Sequence, residues 1–254
     1  MDIGRLYDAH VANHYDADPF GLLGGGRDAA AQQLGAHAVA TDVKDIVDLC
    51  LGTGESLRAI VRHFPGARLH GFDVSEKMIE GARAKLDVHA VHADARAAVD
   101  HLGEGSADVV LIHFLTTYVP AREVLAVAAR LLRPGGLCSL VNGTLEAFPK
   151  LHEVALRHVP PALLEELQPS PASTAFLEEE ARRAGLDVVV AATVERAVSF
   201  ASFDAFYEFG HNSGFFTHLF EGLGPDVLKA FSLIDGVFPL DDVHRAAVLL
   251  ARKP

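Results

Sequence analysis

The chain has 254 residues, enough to bury a full core as one large domain or one domain with an added cap. Its 34 acidic residues outnumber 22 basic ones, for a formal net charge of −12. That balance speaks against binding to nucleic acid or an anionic membrane, since phosphate affinity comes from clustered Lys and Arg. No apolar run approaches the roughly 18 residues of a spanning helix, and no signal-peptide layout opens the chain. Cys50 and Cys138 both sit in apolar, strand-like runs, which fits free thiols in a reducing cytoplasm better than a disulfide or zinc site.

Residues 1–27 mix Leu6, Tyr7, Val11 and Tyr15 with Asp16-Ala-Asp-Pro-Phe-Gly and a Gly24-Gly-Gly run. The pattern predicts a short helix, a loop, and then an Ala-rich helix from Asp28 to about Ala40. Residues 1–43 precede the first strand and are expected to form a helical cap outside the sheet, placed to fold over a ligand; Tyr7, Tyr15 and Phe20 are equally suited to pinning that leader down. Ile46–Cys50 is a short, mostly apolar strand interrupted by Asp48. Gly52-Thr53-Gly54 turns the chain, and Leu57, Ile60, Val61 and Phe64 recur at helical spacing. A glycine turn lets a ligand press on the main chain, and the following helix start offers unpaired N–H groups. The dinucleotide fingerprint needs a third glycine where Leu57 stands, and Leu blocks the close helix–strand packing that a nicotinamide cofactor requires.

The second strand, Leu69–Val74, ends at Asp73, 19 positions beyond Gly54. In a doubly wound sheet an acid there reaches ribose hydroxyls. Ser75 caps a helix from Glu76 to Leu86. Val88–Ala93 is a third strand ending in Asp94, an acid equally suited to capping the helix from Ala95 to His101. Asp108–Leu115 is a fourth strand, Ala121–Leu132 a helix stopped by Arg133-Pro-Gly-Gly136, and Leu137–Val141 a fifth strand. Residues 142–171 carry Pro149, Pro160, Pro161, Pro169 and Pro171 with apolar patches at Val154–Leu156 and Leu163–Leu167, and read as a helical insertion; His152 and His158 on it are expected at the surface. Ala175–Ala184 is a helix whose Glu178-Glu-Glu180 run is a solvated face. Leu186–Val194 is a strand. Phe200–Phe220 holds seven of the fifteen phenylalanines. It is either an apolar acceptor pocket with His211, Asn212 and Ser213 as polar points, or a helical pair packed on the sheet. A helix at Val227–Ile234, capped by Asp226, and a last strand at Ala246–Ala251 complete the chain.

Val47-Asp-Leu-Cys-Leu-Gly-Thr-Gly54 resembles the first motif of class I S-adenosylmethionine (SAM) dependent methyltransferases, D-x-G-x-G-x-G. Asp48, Gly52 and Gly54 match; Cys50 stands at the usual first glycine. Gly71-Phe-Asp-Val-Ser-Glu-Lys-Met78 resembles the second motif, and the resemblance runs over residues 44–142. It implies an α/β, Rossmann-like, doubly wound, mostly parallel seven-stranded sheet with an antiparallel last strand. The sheet domain would span 44–254, with helical cap insertions at about 143–171 and 200–235. It further implies SAM as cofactor and S-adenosylhomocysteine (SAH) as product. The expected cofactor contacts are Tyr15, Asp48, Cys50, Gly52, Gly54, Asp73, Val74, Met78, Asp94, Ala95 and His113. His113, Thr116, Thr117 and Tyr118 follow as cleft residues, and the Asn-Pro-Pro-Tyr of amino-methylating DNA and glutamine enzymes is absent. His113 is the first candidate for a general base, with His14 and His211 behind it. No metal is expected. The implied reaction moves a methyl group to an O, N or C nucleophile of a small molecule. The alternatives are a non-catalytic SAM-binding protein of the same fold and a nicotinamide-dependent oxidoreductase. The aromatic C-terminal third could equally form a homodimer surface.

Overall fold

The structure, a computed structural model, describes residues 2–39, 42–158, 173–233 and 236–254. Seven strands form one sheet: β1 (Asp45–Asp48), β2 (Arg68–Asp73), β3 (Val88–His92), β4 (Ala107–His113), β5 (Leu132–Gly143), β6 (Asp187–Phe200) and β7 (Leu240–Arg252). Their order is β3-β2-β1-β4-β5-β7-β6, with β7 antiparallel to both of its neighbours and the other pairings parallel. The expected doubly wound sheet with a reversed last strand is present. The sheet order reverses between β1 and β4, so a crevice opens beyond the carboxyl ends of those strands.

Side-chain alternation assigns the two faces. Val47, Val110, Ile112 and Leu140 point to the face covered by α5 (Ala98–Leu102), α6 (Ala121–Leu131) and α8 (Thr174–Arg183). Ile46, Val109, Leu111 and Leu137 point to the other, covered by α2 (Leu22–His37), α3 (Glu55–Val61) and α4 (Glu76–Arg83). Leu57 is fully buried in this second layer. At the strand starts, Asp45 is held by two hydrogen bonds from Arg68 and one from Arg133, which also reaches Asp108. Asp108 in turn accepts from the Lys44 and Asp45 N–H groups, tying β1 to β4.

Two local expectations change, and a third is met as far as the described residues reach. Helix α2 begins at Leu22, six residues before the expected start, and its glycine run is helical. Asp18 drives this by accepting from the N–H groups of Leu22, Leu23 and Gly24, doing the work of a cap. The glycines then let the helix lie close on the sheet, where a Cβ on Gly26 would come 2.7 Å from Val141 Cγ1. Helix α2 is therefore a layer of the sheet domain and does not lie outside it. Second, β5 starts at Leu132, because Arg133–Gly136 forms an irregularity paired with the C-terminal tail through Gly135 N–H to Lys253 O and Lys253 N–H to Gly136 O. Third, the 142–171 insertion shows α7 (Pro149–His158), while Leu163–Leu167 lies outside the described residues.

β6 and β7 outrun the sheet. β5 leaves β7 at Ala246, yet β6 follows β7 on to Leu240, a projection of roughly 20 Å at about 3.3 Å per residue. This arm carries α9 (Phe203–Ser213) and α10 (Thr217–Ser232, broken at Gly224). Their aromatic rings pack on Leu22, Phe148, Leu151, Val198 and Phe200 as a separate core above the crevice.

The close seat of α2 is testable. Gly26→Ala meets the buried Val141, and overpacking of about 1–3 kcal/mol outweighs the roughly 0.5–1 kcal/mol an alanine returns to a helix. Gly25→Ala meets the movable end of Arg196. Thermal unfolding should show Gly26→Ala several degrees below wild type and Gly25→Ala close to it. Equal losses would show that close packing is not what the glycine run provides.

Candidate active site

The crevice is built on one carboxylate. Asp73, at the buried end of β2, accepts the Gly52 N–H at 2.7 Å and the Ser75 N–H at 2.9 Å, so it locks the glycine turn to the start of α4. Gly52 and Gly54 have φ of +51° and +84°, the left-handed region where glycine alone is at ease. A Cβ on Gly54 would also come 2.9 Å from Leu86. Asp48, wholly buried, accepts the Cys50 N–H with Oδ1, while its Oδ2 has no hydrogen-bond partner. Burial, with help from Asp73, raises the Asp48 pKa to about 7, and burial likewise raises that of Asp73 against its backbone donors. The Cys50 thiol is pushed up by burial and by both carboxylates, so it stays neutral.

The leader lies across this turn. Its first residues form α1 (Ile3–Leu6) and a π-type turn, Tyr7–Val11. Asp8 accepts from Ser75 Oγ and the Lys77 N–H, and Asp16 accepts from Thr53 Oγ1 and pairs with Lys85. Tyr15 covers Gly52, its ring 3.6 Å from where a Cβ would stand. Arg27, projecting from α2 and almost fully buried, donates to the Tyr15 hydroxyl at 3.2 Å. Its guanidinium carbon stands 5.4 Å from the Tyr15 ring centre and 5.7 Å from that of Phe114, and its Nε has no hydrogen-bond partner. A buried cation and a buried carboxylate oxygen, each short of a partner, thus flank the glycine turn.

Tyr15 is also a wall of a second space, a cavity of about 220 Å³ between the crevice and the aromatic arm. Tyr7, Phe114, Tyr118, Phe148, Phe206 and Phe216 supply much of its surface, and among the described residues no Asp, Glu, Lys or Arg lines it. The Tyr118 hydroxyl donates to Gly214 O at 3.0 Å, so the Tyr7 hydroxyl donates to Tyr118 at 2.8 Å; the pair joins leader, post-β4 loop and α9. Phe114 and Phe148 take positive φ, 60° and 53°, a strained geometry at the cavity wall. Asn142 Oδ1 and His244 Nε2 are buried there without partners, and burial lowers the His244 pKa to about 4 against the opposing field of Asp18.

Of the expected cofactor contacts, Tyr15, Asp48, Cys50, Gly52, Gly54 and Asp73 converge on the turn. Val74 is partly exposed beyond it, and Met78 is buried in the first turn of α4. Asp94 caps a short 3-10 turn and is gripped by the Arg96 guanidinium, with carboxylate lone pairs to spare. Ala95 turns its side chain into the core.

The three expected bases are displaced. His113 shares the strand face of Val109 and Leu111, so it points under α2, away from the cavity, and bonds Ser139 Oγ at 3.1 Å. Burial and Arg27 lower its pKa to about 3, which leaves it a poor proton acceptor. His14 is exposed in the leader, and His211 turns toward His10 and Glu221; neither lines the cavity. Thr117 and Tyr118 do line it, while Thr116 is buried. His152, expected at the surface, is a lining residue. Arg27 and His244 were missed. An arginine in an Ala-rich helix reads as surface, and a histidine on the reversed strand is far in sequence from every motif.

Residues 46–136 match the family model of a methyltransferase domain. The isonocardicin synthase of Nocardia uniformis subsp. tsuyamanensis is 38% identical over 101 residues, 38% of this chain and 33% of that protein. The trans-aconitate 2-methyltransferase of Azoarcus sp. (strain BH72) is 32% identical over 116 residues, 45% of each chain. Over residues 46–136, from β1 to the start of β5, the chain is similar to methyltransferase domains. It spans about a third to a half of the length of these two curated relatives. The solved structure of the [4+2]-cyclase SpnF, 16% identical, aligns over 99% of this chain and 96% of its own at a TM-score of 0.59, a likeness of fold.

SAM, the cofactor that the similarity to methyltransferase domains implies, carries an ammonium and a carboxylate on its amino-acid end. The orphaned Asp48 Oδ2 and Arg27 Nε are of matching opposite sign, so the residues present fit the group. Asp48 also allows a test without ligand. Its folded pKa, about 7, exceeds the unfolded value of about 3.9, so between these pH values the folded state holds a proton that the unfolded state has released. Stability is therefore lost as pH rises through that window, by about 4 kcal/mol at most. Denaturant unfolding should show Asp48→Asn gaining on wild type between pH 4 and pH 8. A difference that is constant with pH would contradict a buried carboxylate with one oxygen unpartnered.

Proposed function

We propose that the chain transfers a methyl group from SAM to a neutral, largely apolar small molecule seated in the aromatic cavity. The observation that carries this is the shared wall: Tyr15 covers the glycine turn on one side and lines the uncharged cavity on the other. Bound SAM supplies a methyl group already activated by its sulfonium. The chain's own part is alignment and exclusion of water. Asp73 and the turn it braces bind the ribose, Asp48 and Arg27 the amino-acid end, and Val74, Met78, Asp94 and Ala95 surround the base. Tyr7, Tyr15 and Tyr118 close the crevice. Asn142 and His244 orient the acceptor. A hydroxyl or amine donating to His244 Nε2 would relieve the cost of a buried, unpaired nitrogen and so fix the acceptor's orientation.

The inward packing of the arm's phenylalanines around the cavity favours an acceptor pocket over a dimer face. Among the described residues no helix is long and apolar enough to cross a membrane. The net charge of −12 supports an acceptor other than nucleic acid, and two unpaired cysteines support a cytoplasmic setting. A second reading, SAM binding with a different or absent catalysis, draws on the fold likeness to a protein named as a cyclase.

Two measurements decide. Saturating SAH should raise the melting temperature by about 5 °C or more, with no shift from NAD or NADP. Methyl-labelled SAM incubated with a panel of neutral apolar alcohols, phenols and amines should transfer label, and His244→Phe should abolish transfer while keeping the SAH shift. A shift with NAD or NADP alone would overturn the cofactor; SAH binding with no label transferred would favour the second reading.

A further inference from the structure

The leader meets the arm again, outside the cavity. His10 on the Tyr7–Val11 turn, His211 in the last turn of α9 and Glu221 in the second turn of α10 each offer one ligand atom. These atoms all lie within 4.8 Å of one another. His211 Nε2 and Glu221 Oε1 are 3.3 Å apart, and the His10 and His211 ring centres 4.7 Å. Behind them Tyr207 stacks on His211 at 5.4 Å and 21°, which holds that imidazole in place. His10 and Glu221 are exposed and His211 is half-buried, so a solvated ion reaches all three.

We infer that His10, His211 and Glu221 form a site for a borderline divalent cation of the Zn²⁺ type, which clamps the leader to the two arm helices. Two imidazoles and one carboxylate are a known three-ligand donor set for Zn²⁺, with water in the fourth position. Bonds of about 2.0–2.1 Å in a tetrahedron set donors about 3.3 Å apart. The His211–Glu221 pair already stands at that spacing, and the exposed His10 ring is free to close the remainder. No spacing motif announces the site because its ligands lie at positions 10, 211 and 221, brought together by the fold. The consequence is mechanical. Tyr7 and Tyr15 on the leader and Phe206 and Phe216 on the arm are walls of one cavity, so a cation joining leader to arm holds that cavity shut.

The probe is Co²⁺ titrated into the full chain, followed by Zn²⁺, with visible absorption and thermal unfolding as readouts. Wild type is compared with His10→Ala and Glu221→Gln, and the SAH-induced thermal shift serves as a separate check that each variant is folded. We expect one Co²⁺ per chain with a d–d absorption band, displacement by Zn²⁺, and a Zn²⁺-dependent rise in melting temperature. Both variants should lose the band and the Zn²⁺ effect. Absence of stoichiometric binding, or unchanged binding in the variants through other members of the fourteen histidines, would overturn the site and leave a His–Glu hydrogen bond against a ring contact.

Discussion

A single buried guanidinium organises the upper end of this sheet. Removing a cation from water costs several kcal/mol unless partners replace the solvent. Arg27 finds the Tyr15 hydroxyl, the faces of Tyr15 and Phe114, and the field of Asp48. Much of the surrounding design follows from putting it there. Helix α2 must lie close enough to the sheet to deliver it, which is what the glycines permit and the Asp18 cap initiates. Arg27 opposes the burial that raises Asp48, and it adds to the burial that keeps His113 neutral. A site so arranged, with a positive and a negative group each one contact short, is matched to a zwitterionic ligand end.

The leader connects that charged cradle to an uncharged cavity. Asp8 fastens it to the start of α4 and Asp16 to the glycine turn, so the covering segment is held by the elements it covers. The Tyr7–Tyr118–Gly214 chain carries the closure to the arm. The extended β6–β7 pair explains why the arm stands over the crevice: strands longer than their sheet lift α9 and α10 above its upper edge. The cavity is thus bounded by segments distant in sequence, the leader, the post-β4 loop, the end of β5 with α7, the arm and β7, each contributing rings, and none of the described lining residues is Asp, Glu, Lys or Arg.

The part legible in the sequence is the part governed by local periodicity. Strand, glycine turn, helix and the acid 19 residues on are written within residues 44–78, and Asp73 stands where its spacing placed it, bracing the turn. The reversed last strand was readable from the family pattern. The glycine run misled because intrinsic propensity marks it as loop, whereas a cap from Asp18 and close packing on Val141 decide otherwise. His113 misled because nearness to a strand end says nothing about which face a side chain takes; parity with Leu111 turns it beneath α2. Arg27, Asn142 and His244 reveal themselves each through one buried polar atom without a hydrogen-bond partner, a property that exists only once the chain is folded.

The most direct measurement compares two ligands by calorimetry, SAH and 5′-methylthioadenosine, which keeps the nucleoside and thioether but lacks the amino-acid end. Arg27→Met should lose about 10–100-fold in SAH affinity, the worth of a charged hydrogen bond, and bind methylthioadenosine as wild type does. An equal loss for both ligands, or none for either, would contradict the assignment of Arg27 to the charged end of the cofactor.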